Sequence, residues 1–221
     1  PSFYYNIWDD LPDPQWNAPF YASCDLLMGI SKQTVFINKT VLGDDIEDRI
    51  CNYVPHGLNS DIFRPITELD KDYGKYLEFK NKVQGNAGIE FTLFFNSRNI
   101  RRKQIPDSLL AFRGFLDSLP LEKAKKCRFI LHTEPSSDHG TNLVKVSELL
   151  FDEKYKECIV FSTAKLPPHE LNYLYNIADA QILLTSNEGW GLTLTEAILS
   201  GTPIIANVTG GMQDQMRFVD D

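Results

Sequence analysis

Two glutamates eight residues apart, Glu188 and Glu196, are the side chains best suited to chemistry. They flank a glycine loop at 189–191, which follows an apolar run and opens a predicted helix that ends near Gly201. A glycine loop that opens a helix exposes unpaired backbone N–H groups at the positive end of the helix dipole. The sequence therefore predicts a site for an anion such as phosphate, bordered by two carboxylates.

Carboxylates beside a phosphate are costly unless they accept hydrogen bonds, and sugar hydroxyls are suitable donors. Two glutamates at this spacing are otherwise ordinary surface residues. Here Glu188 follows a predicted buried strand and Glu196 lies one turn into the next helix, so both can face a ligand. The pattern favours a nucleotide or sugar phosphate, with phosphate on the backbone and hydroxyls on the glutamates.

A cluster of cations lies in the segment 98–103, which holds Arg98, Arg101, Arg102 and Lys103 within six residues. The segment comes after a predicted buried strand and before a predicted helix, at the edge where doubly wound sheets bind ligands. A solvated basic turn would have the same composition. The position favours a phosphate clamp formed by Arg98 and Lys103, with the other two arginines facing solvent.

The elements that must position these residues alternate along the chain. Strands are predicted at 3–7, 51–54, 91–95, 128–132, 159–162, 182–185 and 203–206. Helices are predicted between them, including 32–41 after the cap Ser31, 71–82, and a face made by Leu109, Phe112 and Leu116. Strands that alternate with helices predict an α/β fold with a doubly wound, Rossmann-like parallel sheet.

Residues 55–66 contain several Pro, Gly and Asn residues, which interrupt helices and strands and therefore predict a linker. We therefore expect residues 1–66 to be the end of an N-terminal Rossmann-like domain plus the linker, and residues 67–221 to be a second such domain. The chain opens at Pro1 almost directly into a strand and stops soon after a glycine loop. The fold is accordingly expected to be incomplete at both ends.

Composition excludes several classes of function. The formal net charge of −8 disfavours a nucleic-acid binder, which needs a positive surface. No apolar run approaches the roughly 20 residues of a transmembrane helix, and no signal peptide opens the chain. The four cysteines are far apart and form no Cys-x-x-Cys pair, which disfavours a zinc site or redox motif. Cys127 and Cys158 open apolar runs and are interpreted as small core residues in a reducing, cytoplasmic compartment.

The stretch 188–203 resembles the Glu-x7-Glu motif of retaining glycosyltransferases with the GT-B fold, in particular the family-4 group. It keeps both glutamates, Gly191 and Leu192, with Trp190 in the aromatic position. Segment 97–104 is similar to the family's Gly-Arg-x4-Lys-Gly pattern, with Ser97 and Gln104 in place of the glycines. Segments 55–65 and 209–211 resemble the interdomain segment and the loop that closes over the donor, so four motifs occur in order.

The resemblance implies a retaining hexosyltransferase in which residues 67–221 bind the donor, a nucleotide-diphosphate sugar linked to GDP, UDP or ADP. Glu196 would hold the ribose, Glu188 the transferred sugar, and Arg98 with Lys103 the leaving diphosphate, without metal or cofactor. The remaining donor contacts would be Gly191, Leu192, Thr193 and Leu194 at phosphate and sugar, Thr163, Lys165 and Leu166 at the base, and Gly210 and Gly211 above the donor. The acceptor would be a glycan, lipid or small molecule, and any peripheral membrane contact would belong to the absent N-terminal part.

Other readings are weaker or remain open. An NAD-dependent oxidoreductase would need a third glycine after Gly189-Trp190-Gly191, where Leu192-Thr193-Leu194 stands instead, and no P-loop pattern occurs. A non-catalytic sugar-nucleotide-binding module and a sugar-nucleotide epimerase on the same fold both remain alternatives, because binding and catalysis share residues.

Overall fold

The computed structural model describes residues 1–43, 50–85 and 88–216. The strands, in chain order, are β1 (Phe3–Asn6), β2 (Leu26–Gly29), β3 (Ile50–Tyr53), β4 (Phe91–Asn96), β5 (Cys127–His132), β6 (Ile159–Ser162), β7 (Ala180–Leu183) and β8 (Ile204–Ala206). The helices are α1 (Ala18–Ala22), α2 (Lys32–Leu42), α3 (Tyr73–Gln84), α4 (Ile105–Asp117), α5 (Leu121–Ala124), α6 (Leu143–Leu150), α7 (Pro168–Ile177), α8 (Leu192–Ser200) and α9 (Met212–Met216). None of these helices is long and apolar enough to cross a membrane.

The chain divides into two compact units. The first contains Pro1–Gly57, Ser186–Leu192 and the chain from Val208 onward, and the second contains Leu58–Thr185 and Thr193–Asn207. Each has its own parallel sheet. We call the β1-β2-β3 sheet of the first unit the small sheet, and the sheet of the second unit, in the order β6-β5-β4-β7-β8, the large sheet.

Helix α2 of the first unit begins at a capping residue that the sequence identifies. Ser31 lies in an extended conformation after β2, and its Oγ accepts the backbone N–H of Thr34 at 3.0 Å. This bond satisfies a donor that a helix start would otherwise leave unpaired, so the predicted cap is confirmed. The helix then buries Ile37 and Val41 against Leu27 of β2.

The large sheet is doubly wound, as predicted. From β4 the chain adds β5 and β6 on one side, then returns to add β7 and β8 on the other, and every pair is parallel. The order reverses between β4 and β7. In sheets of this kind the carboxyl ends of the strands at the reversal form a crevice that binds ligands.

The helices of the second unit bury the apolar faces that the helical spacing of their residues predicts. Leu109, Phe112 and Leu116 of α4 are all buried, and Leu143 of α6 is buried too. Pro168 is the first residue of α7, as a proline without an N–H to pair should be. Each interior face removes apolar surface from water, at about 25 cal/mol per Å².

Two predicted elements, the helix at 71–82 and the strand at 182–185, are displaced by two residues from their positions in the structure. Helix α3 begins at Tyr73 rather than 71, because Asp70 is engaged in a turn in which its Oδ2 accepts the N–H of Thr67 at 2.7 Å. The strand predicted at 182–185 is Ala180–Leu183. Its first half includes Gln181, a buried polar residue that interrupts the apolar run on which the prediction relied.

Candidate functional site

The carboxylate of Glu196 is held by two neighbours in the second unit. Its Oε2 atom accepts the hydroxyl of Tyr175 at 2.5 Å and the side-chain N–H of Asn96 at 3.2 Å. The Asn96 amide also donates to the Tyr175 oxygen at 3.0 Å, so the three groups form a closed network. Asn96 is the last residue of β4, which puts Glu196 at the carboxyl end of the strand where the sheet order reverses.

Burial governs the ionisation of this network. Partial burial raises the pKa of Glu196, while the hydrogen bonds from Tyr175 and Asn96 act in the opposite direction. Tyr175 is fully buried, and its pKa lies well above the usual value because of desolvation and the adjacent carboxylate. The tyrosine therefore remains a neutral donor at any physiological pH.

The cation segment begins immediately after Asn96. Arg98 is exposed, whereas Lys103, at the end of a 3-10 turn at Arg101–Lys103, is only 7% exposed. The turn is fastened to the end of β7, because the hydroxyl of buried Thr185 donates to the carbonyl of Arg102 at 3.2 Å. The predicted phosphate pair thus lies on one loop at the crevice edge, but only Lys103 is sheltered from solvent.

Asn99 fixes the shape of this loop. Its side-chain amide donates to the carbonyls of Glu134 and Thr141 at 3.0 and 2.7 Å, and its Oδ1 accepts the Thr141 N–H at 3.0 Å. Gly140 packs so closely that a Cβ there would overlap the Asn99 side chain. The loop after β4 and the loop after β5 therefore behave as one bonded assembly.

The segment predicted to contact the base follows β6. Thr163 and Lys165 are exposed, and Leu166 is half-buried against the core of the second unit. One strand earlier, His132 lies at the end of β5 with its Nδ1 3.0 Å from the Ser162 hydroxyl. These residues share the carboxyl edge of the large sheet with Glu196 and the cation loop.

Glu188 belongs to the first unit and is 5% exposed. Its carbonyl oxygen accepts the N–H of Gly211 at 2.9 Å. A Cβ on Gly210 would overlap that same oxygen, and a Cβ on Gly211 would overlap the carbonyl of Gly189. The predicted donor-binding glycines are therefore brought together with Glu188 by backbone packing that only glycine permits.

Further contacts hold the same two segments of the first unit. The Thr209 hydroxyl donates to the Ser186 carbonyl at 3.2 Å, and the Gln215 side chain donates to the Trp190 carbonyl at 2.5 Å. A Cβ on Gly189 would lie 3.0 Å from the carbonyl of Ile7, so this loop also meets the end of β1. Trp190, on the same loop, is 9% exposed.

The remaining predicted residues lie around the start of α8. Gly191 has φ +85°, a conformation that favours glycine, and the helix begins at Leu192, which is 42% exposed. Thr193 is half-buried and Leu194 is fully buried. Among the described residues, no cluster of three His, Cys, Asp or Glu is placed to hold a metal ion.

Sequence reasoning missed Tyr175 and Asn96 as members of the site. Tyr175 lies at helical spacing with the apolar Leu171 and Leu174, which predicts a core position, and its ring does pack edge-on against Phe94 with centroids 5.0 Å apart. Its hydroxyl was the overlooked part, since a buried tyrosine needs a hydrogen-bond partner. Asn96 carried a weak signal, because it is the polar residue that ends an otherwise apolar strand at the ligand edge.

Residues 79–217, more than half of the chain, match the family described as glycosyl transferases group 1. The chain belongs to this family. The resemblance carried by the Glu-x7-Glu stretch is thereby confirmed, because the matched range contains both glutamates and the cation loop. The group 1 glycosyl transferase match also includes α7 and β4, which supply Tyr175 and Asn96.

One curated relative is a D-inositol 3-phosphate glycosyltransferase from Corynebacterium jeikeium (strain K411). It is 29% identical over 195 residues, which are 86% of this chain and 42% of that protein. The chain thus spans less than half the length of this group 1 relative.

Two solved structures share the fold. The C-terminal domain of a glycosyl transferase group 1 family protein from Francisella tularensis aligns with a TM-score of 0.56 at 16% identity, covering 75% of this chain and 76% of that one. Anabaena HepE, solved in complex with UDP and glucose, aligns with a TM-score of 0.71 at 15% identity, covering 97% and 55%. The α/β fold is therefore that of the GT-B glycosyltransferases.

Proposed function

We propose that the chain provides the donor-binding part of a retaining glycosyltransferase. It would bind a nucleotide-diphosphate sugar and transfer a hexosyl group to an acceptor hydroxyl without a metal ion. Family membership supports the reaction class. The single observation that carries the assignment to this site is the 3.2 Å contact between Glu196 and Asn96, because it joins a carboxylate to the residue at which the cation loop begins.

The two features suit the two ends of a nucleoside diphosphate. A carboxylate accepts hydroxyl hydrogen bonds, which fits the ribose, and the cations fit the diphosphate. The large sheet places both at the carboxyl ends of its strands, at the reversal between β4 and β7. Thr163 and Lys165 are exposed residues after β6, and their backbone would contact the base.

Departure of the diphosphate is the chemically demanding step. The bond between the anomeric carbon and the phosphate oxygen breaks, and the electron pair leaves with the diphosphate, which gains negative charge. Arg98 and Lys103 would stabilise that charge, each charge-assisted hydrogen bond contributing about 1.5–3 kcal/mol. The N-terminus of α8 adds about 0.3–1 kcal/mol, so the cations dominate.

Glu188 would bind hydroxyls of the transferred sugar. Its backbone is held by Gly210 and Gly211, which fixes the position from which the Glu188 side chain extends. Retention of the anomeric configuration would require the acceptor oxygen to bond to the anomeric carbon on the face that the diphosphate leaves, and the proton of the acceptor hydroxyl would pass to the departing diphosphate. Cys24, Cys51, Cys127 and Cys158 are all free thiols, which supports the cytoplasmic location that we propose.

Thermal-shift titration with UDP-, GDP- and ADP-linked sugars tests donor binding. A ligand at about 100 times its Kd stabilises a protein by about 2.7 kcal/mol, so one nucleotide series should raise the melting temperature clearly. Glu188→Gln should weaken binding of the nucleotide sugar but not of the nucleoside diphosphate. Glu68→Gln, at an exposed position far along the chain, is the matched control and should bind both like the wild type.

Transfer is tested by incubating the chain with the donor it binds and with candidate acceptors. Retention predicts a product with the anomeric configuration of the donor, which proton NMR reads directly. Absence of a shift with every nucleotide sugar would count against donor binding. Donor binding without hydrolysis or transfer would favour the non-catalytic module, and interconversion of the donor sugar would favour the epimerase.

A further inference from the structure

Two buried polar side chains at the site have no part in the reaction as described, namely Tyr175 and Asn96. Both donate to the same carboxylate oxygen of Glu196, Oε2. Among the described residues, no hydrogen bond reaches the other oxygen, Oε1. One oxygen of this half-buried carboxylate is therefore bound by the protein, and the other is left for a ligand.

Isolated glutamates rotate about three side-chain bonds, and immobilising them costs free energy when a ligand binds. Here the cost is met during folding, because the two donors fix the side chain before any ligand arrives. Tyr175 is itself held in place, with its ring edge-on to Phe63 and Phe94 at centroid distances of 6.1 and 5.0 Å. Packing and hydrogen bonds thus connect the core of the second unit to Glu196.

We propose that Tyr175 and Asn96 are positioning residues that hold Glu196 with Oε1 directed outward as a preformed acceptor for the ribose hydroxyls of the donor. This inference rests on the proposed function and adds to it. It assigns recognition of the ribose to a buried triad rather than to one glutamate, and it makes the site selective for ribonucleotides with free hydroxyls.

The experiment compares ligands that differ only in those hydroxyls. Whichever of UDP, GDP and ADP binds the chain is titrated beside its 2′,3′-dideoxy analogue by calorimetry. The wild type should prefer the ribonucleotide by about tenfold or more, the value of one hydrogen bond to a charged group. In Tyr175→Phe the preference should fall below about threefold, because ribonucleotide affinity is lost and dideoxy affinity is kept.

Tyr76→Phe is the matched control. Tyr76 is another buried tyrosine of the same core, and its hydroxyl donates to the Asn176 carbonyl at 3.0 Å rather than to Glu196. Removal of the Tyr76 hydroxyl should lower the melting temperature by about as much as Tyr175→Phe does, and it should leave the preference for the ribonucleotide unchanged. A purely structural role for Tyr175 would weaken both ligands equally, so the ratio separates positioning from stability.

The pH dependence of binding gives a second readout. The groups that face Glu196 are Tyr175 from α7 and Asn96 from β4. Among the described residues, no charged side chain shifts the pKa of Glu196. Removing the Tyr175 hydroxyl removes a bond that lowers this pKa, so burial raises it further. As the pH falls, ribonucleotide affinity should therefore decline at a higher pH in Tyr175→Phe than in the wild type.

If Tyr175→Phe does not fold, Asn96→Ser provides the same test with a smaller effect in the same direction. The outcomes separate the two proposals. No binding of any nucleoside diphosphate by the wild type would overturn the proposed function. Nucleotide binding with a wild-type hydroxyl preference that both variants retain would overturn the positioning role and leave the proposed function intact.

Discussion

The backbone of Gly210 lies against the carbonyl oxygen of Glu188, and the neighbouring Gly211 donates its N–H to that oxygen at 2.9 Å. Gly210 also has φ +54°, a conformation that other residues adopt only with strain. A glutamate expected to hold the transferred sugar thus depends on a glycine more than twenty residues away in the chain. Close approach, rather than flexibility, explains the paired glycines.

Gly210→Ala should therefore damage both stability and function. The new methyl group would overlap the Glu188 carbonyl, and the strained backbone adds to the cost, so we expect a loss of about 1–3 kcal/mol in the free energy of unfolding. Displacement of Glu188 should also raise the KM for the donor. Chemical denaturation and steady-state kinetics measure the two effects.

Gly114→Ala is the control for that substitution. Gly114 is exposed in α4, and a Cβ there meets nothing within 4 Å. Alanine in a helix interior is favoured over glycine by about 0.5–1 kcal/mol, so this variant should be more stable and kinetically unchanged. Equal stability of the two alanine variants would contradict the close packing at Gly210.

Gln104 presents the opposite case, a bulkier residue at a position that suits glycine. Its φ of +49° lies in the left-handed region, directly after Lys103 and before α4. We expect Gln104→Gly to raise the free energy of unfolding by up to about 1 kcal/mol, since it relieves left-handed strain. Gln104→Val should lower it, because a β-branched residue tolerates this conformation least.

Thermal melts of the Gln104 variants measure these changes, and donor titration shows whether the cation loop moves. A destabilised glycine variant would mean that the Gln104 side chain contributes more than its backbone costs. The family pattern predicted from sequence has glycine here, and the structure supplies the physical reason for that preference.

Lys103 and Arg98 should differ in salt dependence. A buried charge interacts strongly with an anion and is poorly screened, whereas an exposed one is screened within about 8 Å at physiological ionic strength. Lys103→Met should lower turnover by about two to three decades at both low and high salt. Arg98→Met should lower it most at low salt and progressively less as salt is added.

Methionine keeps the apolar stem of either side chain, so packing changes little. Arg101→Met is the control, because Arg101 is exposed on the same turn and is expected to face solvent. Turnover and calorimetry with the nucleoside diphosphate, each at two salt concentrations, give the comparison. A loss below about threefold in both Lys103→Met and Arg98→Met would rule out their role on the leaving group.

Much of the fold could be predicted because its causes are local. The buried face of α4, the Ser31 cap and the proline start of α7 each depend on residues within one or two helical turns. The predicted start of β7 was wrong because the polar residue Gln181 lies within the strand, and a search for apolar residues therefore begins the strand after it. Its side-chain atoms are buried without a hydrogen-bond partner among the described residues.

The sequence predicts the charge and hydrogen-bonding capacity of the site residues, but not their burial or their contacts. Arg98 and Lys103 look equivalent in sequence, and burial alone distinguishes them. The bond from Tyr175 to Glu196 joins two helices across the core, and neither periodicity nor spacing encodes it. Contacts of this kind depend on how the elements pack, which sequence patterns do not specify.

His132 should give the protein a pH-dependent stability. Burial lowers the pKa of this histidine below its ordinary value of 6.5, although the contact with Ser162 opposes the shift. The unfolded chain therefore binds more protons than the folded one between the two pKa values. The stabilising contribution is complete above pH 6.5 and is lost as the pH falls towards the folded-state pKa.

His132→Gln should remove this component, so the difference in unfolding free energy between wild type and variant should shrink as the pH is lowered below about 6.5. Glutamine is chosen because it can still bond the Ser162 hydroxyl. His169→Gln, at an exposed position at the start of α7, should leave the wild-type slope unchanged. A His132→Gln variant with an unaltered slope would show that the histidine is equally accessible to protons in both states.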